Sequence, residues 1–359
     1  MTTSQVTLTD GRILAYIDYD PPTTTPAAAA AAGKDGEEAH VTTTTTTTTK
    51  PVLFYCHGFP GSRIEGDFLV SAARRHGARL ISVDRPGMGL STFQPNRSVL
   101  DWPRDVLQLA DHLSINGFYV VGASGGAPYV FACVKEVSKT GRLLGACVVA
   151  GAYPLSLGTA GMSWPVRILM LTASSKWFGG VVGWLMDWDF GSVARDREHP
   201  ERMRKVLVRA MKAKPEPDAR CVDSEEVTTK LVEAMHESYR QPSGGGINLD
   251  IRLIAGDWGF DLADLDTEEG FNICLWHGGR DANVPVAMAR NAASLIKGAK
   301  LKVLEDEAHL SISLNAQDQF LEDLLGTVDR QPAGMTEESC APACTDVYGC
   351  MDSEGEIAH

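Results

Sequence analysis

The sequence predicts an α/β fold: a mostly parallel central sheet flanked by helices, interrupted by a helical insertion. Three observations carry this. Short apolar runs of strand length open the stretches "PVLFYCHGFPGSR" (51–63), "ARLISVDRPGMGLS" (78–91) and "GFYVVGASGG", and recur at 145–151, 271–276 and 300–304. Stretches with helical periodicity lie between them, and strands alternating with helices imply parallel pairing with helices on both faces. The rhythm then breaks between residue 153 and about 247, where the pattern is helical throughout.

Each element has its own signal. "QVTLTDGRILAYIDY" (5–19) alternates apolar and polar residues around Asp10-Gly11, the pattern of a hairpin. Residues 20–50, with an alanine run at 27–32 and a threonine run at 42–49, are low complexity. They cannot bury enough apolar surface to fold, so a disordered loop is expected. "PVLFYCHGFPGSR" (51–63) reads as a buried strand entering a Gly/Pro turn, with a helix expected at about 65–76. "ARLISVDRPGMGLS" (78–91) is the next strand and loop, "VLDWPRDVLQLADHL" (99–113) a helix, and "GFYVVGASGG" a strand running into a glycine-rich turn. In such sheets, sites gather at the carboxyl ends of the strands.

The divisions expected are 1–152 for the N-terminal part of the core, 153–247 for the insertion, 248–328 for the C-terminal part of the core, and 329–359 for a mobile tail. "PERMRKVLVRAMKA" and "DSEEVTTKLVEAMHESYR" are amphipathic helices of the insertion. Its apolar stretch 163–190 is not read as a membrane span. Ser174, Ser175, Lys176 and several glycines interrupt it, and Asp187 and Asp189 close it.

Composition narrows the function classes. The formal net charge is −13, which argues against nucleic acid or an anionic membrane as the main partner. Of the eight cysteines, Cys56, Cys133, Cys147 and Cys274 sit in apolar runs and read as buried small hydrophobes, whereas Cys221 lies in a polar stretch. Cys340, Cys344 and Cys350 have no fourth ligand at zinc-site spacing, so no metal is expected. The N-terminus shows neither a basic n-region nor an apolar h-region, and thiols without a secretory signal suit a reducing, cytoplasmic setting.

The chemistry rests on four short motifs. Gly122-Ala123-Ser124-Gly125-Gly126 fits G-x-S-x-G, a sharp strand-to-helix turn that exposes a nucleophilic serine. His57-Gly58-Phe59-Pro60-Gly61 follows a strand and can aim backbone N–H groups at an oxyanion, with Phe59 and Gly125 as the two donors. His57 itself receives no acid–base role. Asp281, in "HGGRDANVP" after a strand, can orient a histidine, and His309, in "DEAHLS" after the next strand, can act as general base. Asp306 and Glu307 are nearer to His309 in sequence, but a carboxylate two or three residues away in a tight loop rarely reaches behind the ring. The order Ser124…Asp281…His309 matches the serine–acid–histidine order known for one fold.

On "HGFPGSR", "DRPGMGLS", "GASGGAPY", "WGFDL", "HGGRDANVP" and "AHLSI", the chain resembles the α/β-hydrolase superfamily in its large group with a helical lid, over roughly residues 51–325. The resemblance implies the α/β-hydrolase fold with 153–247 as lid, Ser124 as nucleophile, Asp281 as acid, His309 as base, and Phe59 and Gly125 as oxyanion donors. It implies no cofactor. Epoxide hydrolases and haloalkane dehalogenases carry an aspartate at the elbow, so Ser124 argues against both.

The expected activity is serine-dependent hydrolysis of an ester or lactone of a small hydrophobic substrate. C–C bond hydrolysis and aminopeptidase-like cleavage use the same triad, though no acidic cluster is evidently placed to hold an amine. A catalytically silent ligand-binding homologue is the reading from another class. Trp164, Trp177, Trp184 and Trp188 are expected mostly to pack the insertion onto the core, with some able to wall a substrate pocket.

Overall fold

The hairpin at Asp10-Gly11 forms as its pattern predicts. Gly11 takes φ +85° and its N–H closes the turn onto Leu8. The turn joins β1 (Thr3–Thr7) to β2 (Ile13–Asp18) in antiparallel register. The protein is seen here as a computed structural model that describes residues 2–21, 50–175, 177–241, 245–265, 267 and 270–326. The expected disordered loop, apart from its end residues, and the expected tail with Cys340, Cys344 and Cys350 lie outside the described residues.

β3 (Val52–Cys56), β4 (Arg79–Val83), β5 (Phe118–Ala123), β6 (Leu143–Val149), β7 (Asn272–Gly278) and β8 (Lys300–Leu304) complete a sheet in the order β1-β2-β4-β3-β5-β6-β7-β8. From β4 through β8 every pairing is parallel. Strands β3 to β7 are largely buried, which is why they read as near-continuous apolar runs, whereas the edge strand β8 is partly exposed. Phe54, Cys56, Val120 and Leu275 enter one core layer, and Leu53, Tyr55, Val121 and Trp276 the other.

Helices α1 (Val70–Arg75), α2 (Trp102–His112) and α3 (Ala127–Val137) follow the first parallel strands. The helix expected at 65–76 is split: a 3₁₀ segment, Arg63–Phe68, precedes α1. Seven helices lie between β6 and β7 among the described residues. They are α4 (Trp164–Ala173), α5 (Gly179–Met186), α6 (Ser192–Arg195), α7 (Pro200–Lys212), α8 (Glu216–Cys221), α9 (Glu225–Ser238) and α10 (Gly245–Ala255). α10 runs across residue 247, the edge expected for the insertion, and the sheet resumes only at Asn272. α11 (Val286–Leu295), α12 (His309–Asn315) and α13 (Gln317–Leu325) close the core. No helix among the described residues is long and apolar enough to cross a membrane.

The turn from β5 into α3 explains the run of small residues. Ser124 takes φ +50°, a left-handed conformation that strains any residue with a Cβ. Its carbonyl is held by the N–H of Ala152 at 2.9 Å. A Cβ on Gly126 would stand 2.2 Å from the carbonyl oxygen of Cys56 at the end of β3. That obstacle is backbone in a central strand and cannot move aside. Gly126→Ala is therefore expected to cost about 3 kcal/mol in urea unfolding, at the upper end for overpacking; a loss below about 0.5 kcal/mol would show that the turn yields.

Candidate active site

Four strand ends converge. β3 delivers His57-Gly58-Phe59, β5 delivers Ser124, the turn after β7 delivers Asp281, and the loop after β8 delivers His309. All five residues expected at the site meet there. Ser124 Oγ lies 2.9 Å from His309 Nε2, and His309 Nδ1 lies 2.7 Å from Asp281 Oδ2. With the Nδ1 proton donated to Asp281, Nε2 is left to accept the Ser124 hydroxyl proton. Asp306 instead pairs with Arg280 at 2.9 Å, and Glu307 accepts from Asn315, so neither serves His309.

Asp281 is buried and its other oxygen, Oδ1, accepts the N–H groups of Asn283 and Val284, both at 2.8 Å. Burial pulls its pKa up, but the His309 charge and hydrogen bond outweigh this and hold it below the ordinary carboxylate value. For His309, burial works against the charged form, and Asp281 and then Asp218 more than offset it. The imidazole is raised above its usual pKa.

A buried arginine sets the orientation of the first loop. Arg85 donates through Nη1 to the His57 carbonyl and through Nη2 to the Gly58 carbonyl at 2.8 Å. In a trans peptide the N–H points opposite to the preceding C=O. Gly58 N–H is thereby turned onto Glu65 Oε2, which accepts it at 2.8 Å. By the same rule the Phe59 N–H is turned away from Arg85, toward the side where Gly125 lies. There a Cβ on Gly125 would be 2.7 Å from Phe59 Cβ and 3.2 Å from Phe59 N, so only glycine lets the two backbones approach. His57 accepts the Arg85 N–H at Nε2 and donates from Nδ1 to Gly58. Burial, then Arg85, push its pKa well down, which agrees with its having no acid–base part.

Arg85 is itself held by Asp250 of α10 at 2.7 Å, and Asp250 also accepts from Arg97 at 2.7 Å and from the Tyr129 hydroxyl. Arg85 lies over the Tyr129 ring, 4.7 Å from its centre. Burial favours the neutral acid, but the two arginines hold the Asp250 carboxyl well below the usual range. Arg85, Asp250, Glu65 and Asp218 have no local sequence signal. They act through partners up to 165 residues away, though "DRPGMGLS" contains Arg85.

Two cavities, of about 280 and 200 Å³, meet at Phe59, Ser124, Asn283 and His309. Phe68, Leu207, Met211, Leu231, Met235 and Phe320 wall the larger, and Leu155, Met162, Val166, Leu169, Met170 and Ile254 the smaller. Glu65 also lines the larger chamber, and burial pushes its carboxyl up to about 7. An acidic side chain is thus placed within substrate reach, where none was evident from the sequence. No group of three or more His, Cys, Asp or Glu side chains among the described residues could hold a metal.

The tryptophans depart from expectation. Trp164, Trp177, Trp184 and Trp188 are 60–88 % exposed and line neither of these two cavities. α4 turns Val166, Leu169 and Met170 inward, leaving Trp164 outside. α5 rests on α10 through its glycines: Gly183 lies against Asn248, whose Nδ2–H donates to the Gly180 carbonyl. Its large side chains are left facing out. The cysteines follow expectation: Cys56, Cys133, Cys147 and Cys274 are buried free thiols, and Cys221 is half-buried.

A model of the alpha/beta hydrolase family matches residues 53–323. The chain belongs to the α/β-hydrolase family. Among curated proteins none matches this family member. Solved structures of the same fold include an esterase from Rhodococcus sp. ECU1013 (17% identity, 90% of this chain and 97% of that one covered, TM-score 0.57). Others are a bromoperoxidase from Bacillus anthracis (18%, 89% and 97%, 0.56) and an enol-lactonase from Burkholderia xenovorans LB400 (16%, 90% and 99%, 0.52). An esterase, a bromoperoxidase and an enol-lactonase share this scaffold, so α/β-hydrolase membership fixes the fold and leaves the reaction to the site.

Two predictions follow from the burial of charge. Asp250→Ala leaves Arg85 and Arg97 without their carboxylate and is expected to cost about 3–5 kcal/mol in urea unfolding; a change under 1 kcal/mol would mean the arginines find other partners. Glu65 has a folded-state pKa above its unfolded value, so the stability it contributes is present below pH 4.5 and lost as pH rises through about 7. Between pH 4.5 and 8 the wild type should lose on the order of 2 kcal/mol more than Glu65→Gln. Parallel pH curves would show that Glu65 is solvated.

Proposed function

We propose that the protein is a serine hydrolase that cleaves an ester or lactone of a small hydrophobic substrate through an acyl-enzyme on Ser124. One observation carries the reading: the Ser124–His309–Asp281 chain of contacts, 2.9 and 2.7 Å long, lies where two apolar cavities meet. His309 takes the Ser124 proton as Oγ attacks the carbonyl carbon, and Asp281 stabilises the imidazolium that forms. The developing oxyanion is met by the N–H groups of Phe59 and Gly125, each donor of this kind contributing about 3 kcal/mol in known enzymes. His309 then returns the proton to the leaving alkoxide. Water, deprotonated by the same imidazole, releases the acid. One chamber takes the acyl part and the other the alcohol part, so an ester with an apolar group on each side of the scissile bond fits best. The insertion, which supplies walls to both cavities, is read as the lid.

Labelling by a fluorophosphonate, with peptide mapping, tests this. A stoichiometric adduct on Ser124 that is lost in Ser124→Ala is expected, together with hydrolysis of 4-nitrophenyl butyrate. Folded wild-type protein that neither labels nor turns over the ester would reverse the reading in favour of a silent ligand-binding homologue.

A further inference from the structure

Helix α8 of the insertion reaches the loop that carries His309. Asp218 is 2 % exposed. Its Oδ1 accepts the N–H groups of Leu310 at 2.8 Å and Ser311 at 3.0 Å, and its Oδ2 accepts the N–H of His309 at 3.2 Å. Just before α8, Lys214 Nζ donates to Asn283 Oδ1 at 2.6 Å, on the loop of Asp281. The insertion therefore grips both loops behind the imidazole, 91 residues away in sequence at the Asp218–His309 contact.

We propose that Asp218 is a positioning residue for His309: its carboxylate, carried by the insertion, fixes the backbone of His309–Ser311 and thereby aligns the imidazole with Ser124 only while α8 is seated. The proposal rests on the reading of His309 as the base. Three consecutive N–H groups accepted by one carboxylate define the position of that backbone far more tightly than a single contact would. The groups facing His309 are Asp281 and, beyond it, His277, together with Asp218 and Lys214 from the insertion. Asp218 favours the protonated ring and Lys214 opposes it, so the insertion also sets the charge balance at the base. Displacement of α8 to admit substrate would release His309, and its return would restore the alignment.

The test uses full-length protein labelled with ¹³C-histidine, as wild type, Asp218→Asn and Lys214→Met, with the His309 signal identified by its loss in His309→Gln. Asp218→Asn keeps the shape and removes the charge, so the His309 titration midpoint should fall. Lys214→Met should raise it. On 4-nitrophenyl butyrate, Asp218→Asn should lower kcat at least about tenfold with KM within threefold, as misalignment of a base does. An unmoved midpoint in Asp218→Asn, or a loss confined to KM, overturns the proposal. Should Asp218→Asn not fold, an unmoved or lowered midpoint in Lys214→Met overturns it equally. If wild type neither labels with the fluorophosphonate nor hydrolyses the ester, the hydrolase reading fails while the titrations still decide whether Asp218 governs His309.

Discussion

The arrangement of the site depends on one buried cation. Arg85 is fully buried, and a guanidinium out of water is tolerated only where its donors are met by acceptors. Here the acceptors are Asp250 and the carbonyls of His57 and Gly58. Because each carbonyl is pulled toward the guanidinium, the following N–H must face the other way. One meets Glu65 and the other faces the side where Gly125 lies. The orientation of the Phe59 N–H is thus a consequence of satisfying a charge on the far side of the peptide plane. Arginine suits this position because its planar fork can engage several acceptors at once, which a lysine cannot.

The insertion is joined to the sheet by ion pairs at several points. Asp250 on α10 neutralises Arg85 and Arg97, and Glu237 on α9 meets Arg63, which also pairs with Asp84. Asp218 and Lys214 reach the loops after β8 and β7. In each case an acid or a base from the helical segment finds its partner in a loop of the core. Burial makes these contacts costly to break singly, since each would leave an uncompensated charge. Part of the insertion, around Met203, Leu207, Val232, Met235 and Tyr239, forms a separate apolar cluster with Met88, whereas Met162, Met170, Ile251 and Ile254 join the core that packs on the sheet.

Much of this was legible in the sequence, for a physical reason. Ser124, Asp281 and His309 each follow a strand directly, and a parallel sheet brings successive strand ends to one edge. Chain order then suffices to place them together. The closeness of Phe59 and Gly125 was readable because the flanking small residues mark where backbone comes near backbone. Asp250, Asp218 and Glu65 were not readable, because their partners are set by tertiary packing and a lone carboxylate in a helix resembles any solvated one. The tryptophans misled because apolar composition was taken for burial. α5 buries Gly179 and Gly183 and exposes Trp184, a direction that composition does not encode. The edge of the insertion was missed because α10 has the same helical periodicity as the helices before it.

That uneven placement of indoles has a spectroscopic consequence. Of the seven tryptophans, Trp102, Trp258 and Trp276 are buried, and the other four stand in solvent on α4 and on the stretch from 177 to 188. Intrinsic emission is therefore weighted toward the insertion, with its maximum shifted to the red and its larger part open to quenching by iodide. Trp184 and Trp188, stacked nearly parallel with ring centres 6.4 Å apart, add a local exchange of excitation. A fluorescence melt follows the surface of the insertion as well as the sheet, and circular dichroism is the signal that isolates loss of the fold.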